Sequence, residues 1–121
     1  MIVCIPVTSS EEVGPGFGRA SRVAIADVAG GQVTSWKVFD VGWGELHDAG
    51  TEGSHHARIA QFIRDHGVAM VVGSHMGEGM LRVLGRMGVD VHMGASGGAR
   101  AAVLAAVDGG RDLSPDSDPT R

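Results

Sequence analysis

Hydrophobic positions fall into short blocks divided by glycine, and the rhythm within the blocks changes along the chain. Residues 2–7 (Ile-Val-Cys-Ile-Pro-Val) form an unbroken apolar run, which reads as a strand buried on both faces. A loop rich in Ser, Glu, Gly and Pro follows over 8–19. Residues 22–29 and 32–40 are β-favouring, and Gly30-Gly31 between them can take the two left-handed positions of a tight hairpin turn. In the second of these segments Trp36 and Val38 share one face while Ser35 and Lys37 share the other, as on an exposed outer strand.

Residues 42–53 have no period and read as a mobile connection. Helical spacing then begins. Ser54 is placed to cap a helix over 55–66, with Ile59, Ala60, Phe62 and Ile63 as its buried stripe and Gly67 as its terminator. A strand over 68–72 precedes a helix over 78–87 that buries Met80, Leu81, Leu84 and Met87 and stops at Gly88. A strand over 89–93 leads to a last helix over 97–108, with Ser96 as its cap and Gly109-Gly110 as its end. Residues 112–121 carry prolines and aspartates with almost nothing to bury and read as a disordered tail.

The order is therefore β-β-β-α-β-α-β-α. The last two strands alternate with helices and must run parallel, joined by right-handed crossovers. The first strand pairs beside them, and the hairpin extends the sheet on the other side. The expectation is one α/β domain over 1–109, a mixed five-stranded sheet with helices on both faces, and a tail over 110–121.

Composition narrows the function. The net charge is −4 and Lys and Arg together number 10, which argues against a nucleic-acid partner. At 4% aromatics, stacking platforms for single strands are also lacking. The single cysteine, Cys4, excludes an internal disulfide and any site built from several thiolates, and is compatible with a reducing cytoplasm. No apolar run approaches the roughly 20 residues of a membrane span, so the chain reads as cytoplasmic.

In such sheets ligands collect beyond the carboxyl ends of the parallel strands. The loops Gly73-Ser74-His75-Met76-Gly77 and Gly94-Ala95-Ser96-Gly97-Gly98 leave two of those ends and enter helix N-termini, whose N–H groups and dipole favour an anion. One reading is an anion-tolerant crevice with the His75 imidazole and the Met76 thioether on its wall. In the other, the glycines merely make short turns. His55 and His56 fall in a first helical turn, where the dipole favours the uncharged, ligand-capable ring, although the pair also fits a solvated helix start. His47 lies just before them, with Glu45, Asp48 and Glu52 close in sequence. His66 suits a helix C-terminus, His92 a strand end, and Cys4 an inert buried thiol.

Three enzyme motifs fail on context. Gly14-Pro15-Gly16-Phe17-Gly18-Arg19 resembles the start of a dinucleotide fingerprint, but Arg19 stands at the last glycine and a strand follows in place of a helix. Gly94-Ala95-Ser96-Gly97-Gly98 spells a nucleophile elbow, yet no histidine follows residue 92. The topology resembles ribonuclease H, but residues 1–7 hold no carboxylate for its two metal ions.

Phe17-Gly18-Arg19-Ala20 after the first strand, residues 67–72, Gly77, Leu84, Gly88-Val89 and residues 94–97 together resemble the dinitrogenase iron–molybdenum cofactor biosynthesis family. The resemblance runs from about residue 2 to residue 109. It implies a ribonuclease H-like fold, no catalytic reaction, and the binding, carriage or assembly of anionic clusters containing molybdenum or iron. One branch of that family holds a molybdenum–copper sulfide cluster. The family's His-Phe-Gly-Arg motif aligns with Gly16-Phe17-Gly18-Arg19, so glycine stands where some members carry a ligand histidine. His75-Met76-Gly77 is similar to the His-Cys-Gly of the molybdenum–copper branch, with a thioether in place of a thiolate.

The resemblance thus implies cofactor contacts at Phe17, Gly18, Arg19, His75, Met76, Gly77, Ser96 and Gly97, and metal ligation by His75, with His55 or His56 if their helix starts at the same end of the sheet. Its implied partners are the cluster or its precursor and other cofactor-assembly proteins. The exposed strand over 32–40 leaves pairing with a second copy open. Two other readings compete: a regulatory or protein-interaction module that keeps the fold without a cluster, and an enzyme acting on a small anionic metabolite.

Overall fold

The computed structural model describes residues 1–49 and 51–111, and gives the backbone alone for 47–49, 52, 110 and 111. The strands are β1 (Ile2–Pro6), β2 (Arg22–Ala29), β3 (Gln32–Asp40), β4 (Met70–Val72) and β5 (Asp90–His92). The helices are α1 (Trp43–Ala49), α2 (Glu52–Asp65), α3 (Glu78–Arg86) and α4 (Ala99–Arg111), with a single 3-10 turn at Phe17–Arg19. The strands form one sheet in the order β3-β2-β1-β4-β5. β1 runs antiparallel to β2, β2 antiparallel to β3, and β1, β4 and β5 run parallel. This is the mixed five-stranded, ribonuclease H-like arrangement that the alternation of elements predicts. Gly30 and Gly31 take φ of 60° and 77°, so the hairpin turns where the sequence places it.

Because side chains alternate across a strand, β1 serves two cores. Val3 and Ile5 pack with Ala24, Ala26, Met70 and Val72 against Ala99, Val103 and Ala106 of α4. Cys4 faces the other way, with Val23 and Val71, into a second cluster formed with Trp43, Ile59, Ile63, Met80 and Leu84. α4 therefore covers one face and α1, α2 and α3 the other.

Four local expectations are corrected. Residues 43–49, expected as a mobile connection, are helix. Their hold is tertiary: Trp43 is 2% exposed and meets Phe17 and Phe62 edge-to-face, with ring centroids 5.3 and 5.5 Å away. The cap of α2 is Thr51, whose hydroxyl oxygen accepts from the Ser54 N–H at 3.1 Å, so the helix starts before Ser54. α4 starts at Ala99 and Ser96 does not cap it. Gly97 has φ of 80°, Gly98 bridges to Glu12, and the Ala99 N–H donates to the Glu11 carbonyl, which together keep 96–98 out of the helix. At its far end α4 runs through Gly109 and Gly110 to Arg111 rather than stopping at them. Of the tail expected over 110–121, residues 110 and 111 are therefore helix and 112–121 lie outside the described residues.

Gly67 and Gly88 do end α2 and α3. Each is left-handed (φ 63° and 76°), and the next N–H, of Val68 or Val89, reaches back to the carbonyl of Ile63 or Leu84. Since α2 ends where β4 begins, its start lies at the carboxyl end of the parallel strands, the same end as the His75 loop. Among the described residues no helix is long and apolar enough to cross a membrane.

Candidate functional site

A cleft of about 230 Å3 opens at that end of the sheet. Its walls are the Phe17–Arg19 turn, the first turns of α2 with His55 and His56, and residues 75–80, which carry the chain from β4 into α3. Among the described residues, three imidazoles, two thioethers, one guanidinium and one carboxylate, from Glu78, meet there.

The Phe17–Arg19 turn is pinned from several directions. The Phe17 side chain is fully buried, and its N–H donates to the His75 carbonyl at 2.9 Å, tying the turn to the β4–α3 loop. The Trp43 N–H donates to the Ala20 carbonyl at 2.8 Å. Gly44 brings α1 so close that an added Cβ would lie 2.8 Å from the Arg19 carbonyl oxygen. From α2, the His55 Nε2 bonds to the Gly18 carbonyl at 2.6 Å. A carbonyl can only accept, so this nitrogen carries the proton.

The three histidines are not equivalent. His55 is 2% exposed, and its Nε2 is committed to holding the turn. His56 is half-buried and its ring lies against the first turn of α3, where a Cβ on Gly79 would meet Cε1 at 2.6 Å. His75 is exposed at the mouth. The cleft gathers all three, but among the described residues no three His, Cys, Asp or Glu side chains are placed to hold one metal ion. The donors stand separately around the rim.

Met76 and Met80 lie beneath, 6% and 3% exposed, as part of the core. Arg19, Gly77 and Glu78 are exposed around the opening. Met80, Glu78, Gly79 and Gly16 line the cleft without having been singled out as contacts; the glycine pair 77 and 79 at a helix start was the available signal. Ser96 and Gly97 lie elsewhere. Ser96 lines a separate depression of about 310 Å3 with His92 and Met93, and the Gly97 carbonyl accepts from the Val13 N–H at 2.8 Å. The helix start that joins that of α3 is thus the one of α2, not of α4.

The remaining candidates are structural in place. The His66 Nδ1 donates to the Phe62 carbonyl at 2.9 Å, and its ring packs on Phe39 and Phe62. Cys4 is fully buried, and burial pushes its thiol well above the ordinary range. The backbone of His47 lies in α1, and its side chain is outside the described residues.

The family described as dinitrogenase iron–molybdenum cofactor matches residues 1–109. The chain belongs to that family. The apo form of the orange protein from Desulfovibrio gigas superposes with a TM-score of 0.72 at 20% identity, over 89% of this chain and 88% of that one. A NifB-like protein from Thermotoga superposes at 0.67 with 24% identity, covering 89% and 88%. A dinitrogenase-like protein from Methanocaldococcus jannaschii gives 0.63 at 14% identity, covering 90% and 89%. At these identities the likeness is one of fold. No curated protein matches the sequence.

Proposed function

We propose that this family member is a non-enzymatic carrier or assembly accessory for an anionic metal–sulfur cluster containing molybdenum or iron, received in the His56–His75 cleft. The observation that carries the reading is the convergence of those two imidazoles with Arg19 at the start of α3. Imidazole nitrogens suit transition metals, and the guanidinium and helix start suit a negatively charged guest. The only thiol is buried in β1, so the cargo brings its own sulfides and the protein supplies nitrogen donors and charge. Glu78, the cleft's carboxylate among the described residues, is exposed at the rim.

On this reading Phe17 and Gly18 set the rim, Met76 and Gly77 the floor and edge, and His55 positions the turn. The donor and acceptor are other cofactor-assembly proteins of the cytoplasm.

The test is oxygen-free purification from the native host, with elemental analysis and a visible spectrum. Molybdenum or iron near stoichiometric with protein, and lost in His75→Ala without loss of fold, is the expected result. Metal-free protein from that source overturns the reading in favour of an interaction module that keeps the fold without a cluster.

A further inference from the structure

Gly79 is the second residue of α3, a helical position where glycine is disfavoured against alanine. A Cβ there would lie 2.6 Å from Cε1 of His56 and 3.5 Å from each ring nitrogen. The ring is half-buried on a helix that packs against α3, so a Cβ at position 79 requires it to shift. At Gly85, elsewhere in the same helix, an added Cβ meets nothing within 4 Å. The crowding therefore belongs to position 79 and not to α3 in general.

We propose that Gly79 is a positioning residue that sets the specificity of the cleft: its missing side chain lets the His56 imidazole rest on the α3 backbone, where it faces the guest beside His75. The inference rests on the reading that the cleft receives an anionic metal–sulfur species, and deepens it by naming the imidazole that is fixed and the residue that fixes it. A ring held by packing loses less freedom on coordination than an exposed one such as His75, so its placement decides which guests the rim fits.

The test compares wild type, Gly79→Ala, His56→Ala and the double variant, with tetrathiomolybdate as the probe, added without oxygen and followed by visible absorbance. Gly79→Ala weakens retention by about tenfold or more, as losses of supporting groups around metal ligands do. His56→Ala does the same, and the double variant is no worse than either. Without the probe, alanine at 79 gives no gain in thermal midpoint while His56 is present, but about 4 °C once His56 is alanine. The His56 ring resonances also shift in Gly79→Ala.

Losses that add across the cycle, or Gly79→Ala with wild-type retention and unmoved His56 resonances, overturn the proposal. If wild type retains no tetrathiomolybdate, the reading of the cleft fails. The probe-free midpoints and resonances then still decide whether Gly79 seats the ring.

Discussion

The His55 Nε2 donates to the Gly18 carbonyl at 2.6 Å, joining the first turns of α2 to a turn 37 residues earlier in the chain. The ring is 2% exposed, so this bond is made away from water, where it matters most. One of the cleft histidines is therefore spent on architecture.

His55→Ala removes that donor and leaves a void under the turn. Equilibrium urea denaturation should show a loss of about 2–4 kcal/mol, the range for a buried ring with a hydrogen bond. Amide exchange at residues 17–20 should rise with it. An unchanged midpoint with unchanged exchange would show that the turn does not need the bond.

Two glycines in helices give opposite expectations. Gly44→Ala places a Cβ 2.8 Å from a backbone oxygen that cannot turn aside, so it should destabilise by about 1–3 kcal/mol despite alanine's better helix propensity. Gly85→Ala meets nothing within 4 Å and should stabilise by about 0.5–1 kcal/mol. Thermal unfolding of the two variants side by side checks both, and two shifts of the same sign would refute the packing described for α1.

His75→Ala alters an exposed side chain with no part in either core, so its stability should stay within about 0.5 kcal/mol of wild type. If the cleft carries the proposed cluster, metal retention from the native host should nevertheless collapse. A variant that keeps its metal moves the site away from this loop.

Burial holds the Cys4 thiol protonated in the folded protein, whereas in the unfolded chain it ionises near its ordinary value of about 8.5. A folded value raised above the unfolded one gives stability that is complete below about pH 8.5 and declines above it, because only the unfolded chain then sheds the proton. The decline should approach about 1.4 kcal/mol per pH unit at alkaline pH and be absent from Cys4→Ala, measured as denaturation midpoints against pH. A thiol reagent should label Cys4 in denaturant and not in native buffer.

Much of the fold was legible because its signals are local. A glycine pair sets the β2–β3 turn, Gly67 and Gly88 end two helices, and the move from block to helical spacing marks where parallel strands begin. The same order places the His75 loop beyond the carboxyl end of a parallel strand. Ser54 and Ser96 misled because a hydroxyl near a helix start resembles a cap in sequence. Which residue caps depends on where the backbone turns, and at 96–98 strand-like contacts with residues 11–13 decide that.

By itself the sequence determined the order of the strands and of the helices after residue 51, the sheet and the family, since alternation, glycine position and motif spacing are properties of neighbours along the chain. Only the tertiary structure decided that 43–49 is a helix, that α2 rather than α4 meets the His75 loop, and that the histidines divide into a buried anchor, a seated ring and an exposed one. Those outcomes depend on contacts between segments tens of residues apart: Trp43 on Phe17, His55 on Gly18, His56 on Gly79. No local pattern encodes them, because each is settled by the space the partner leaves.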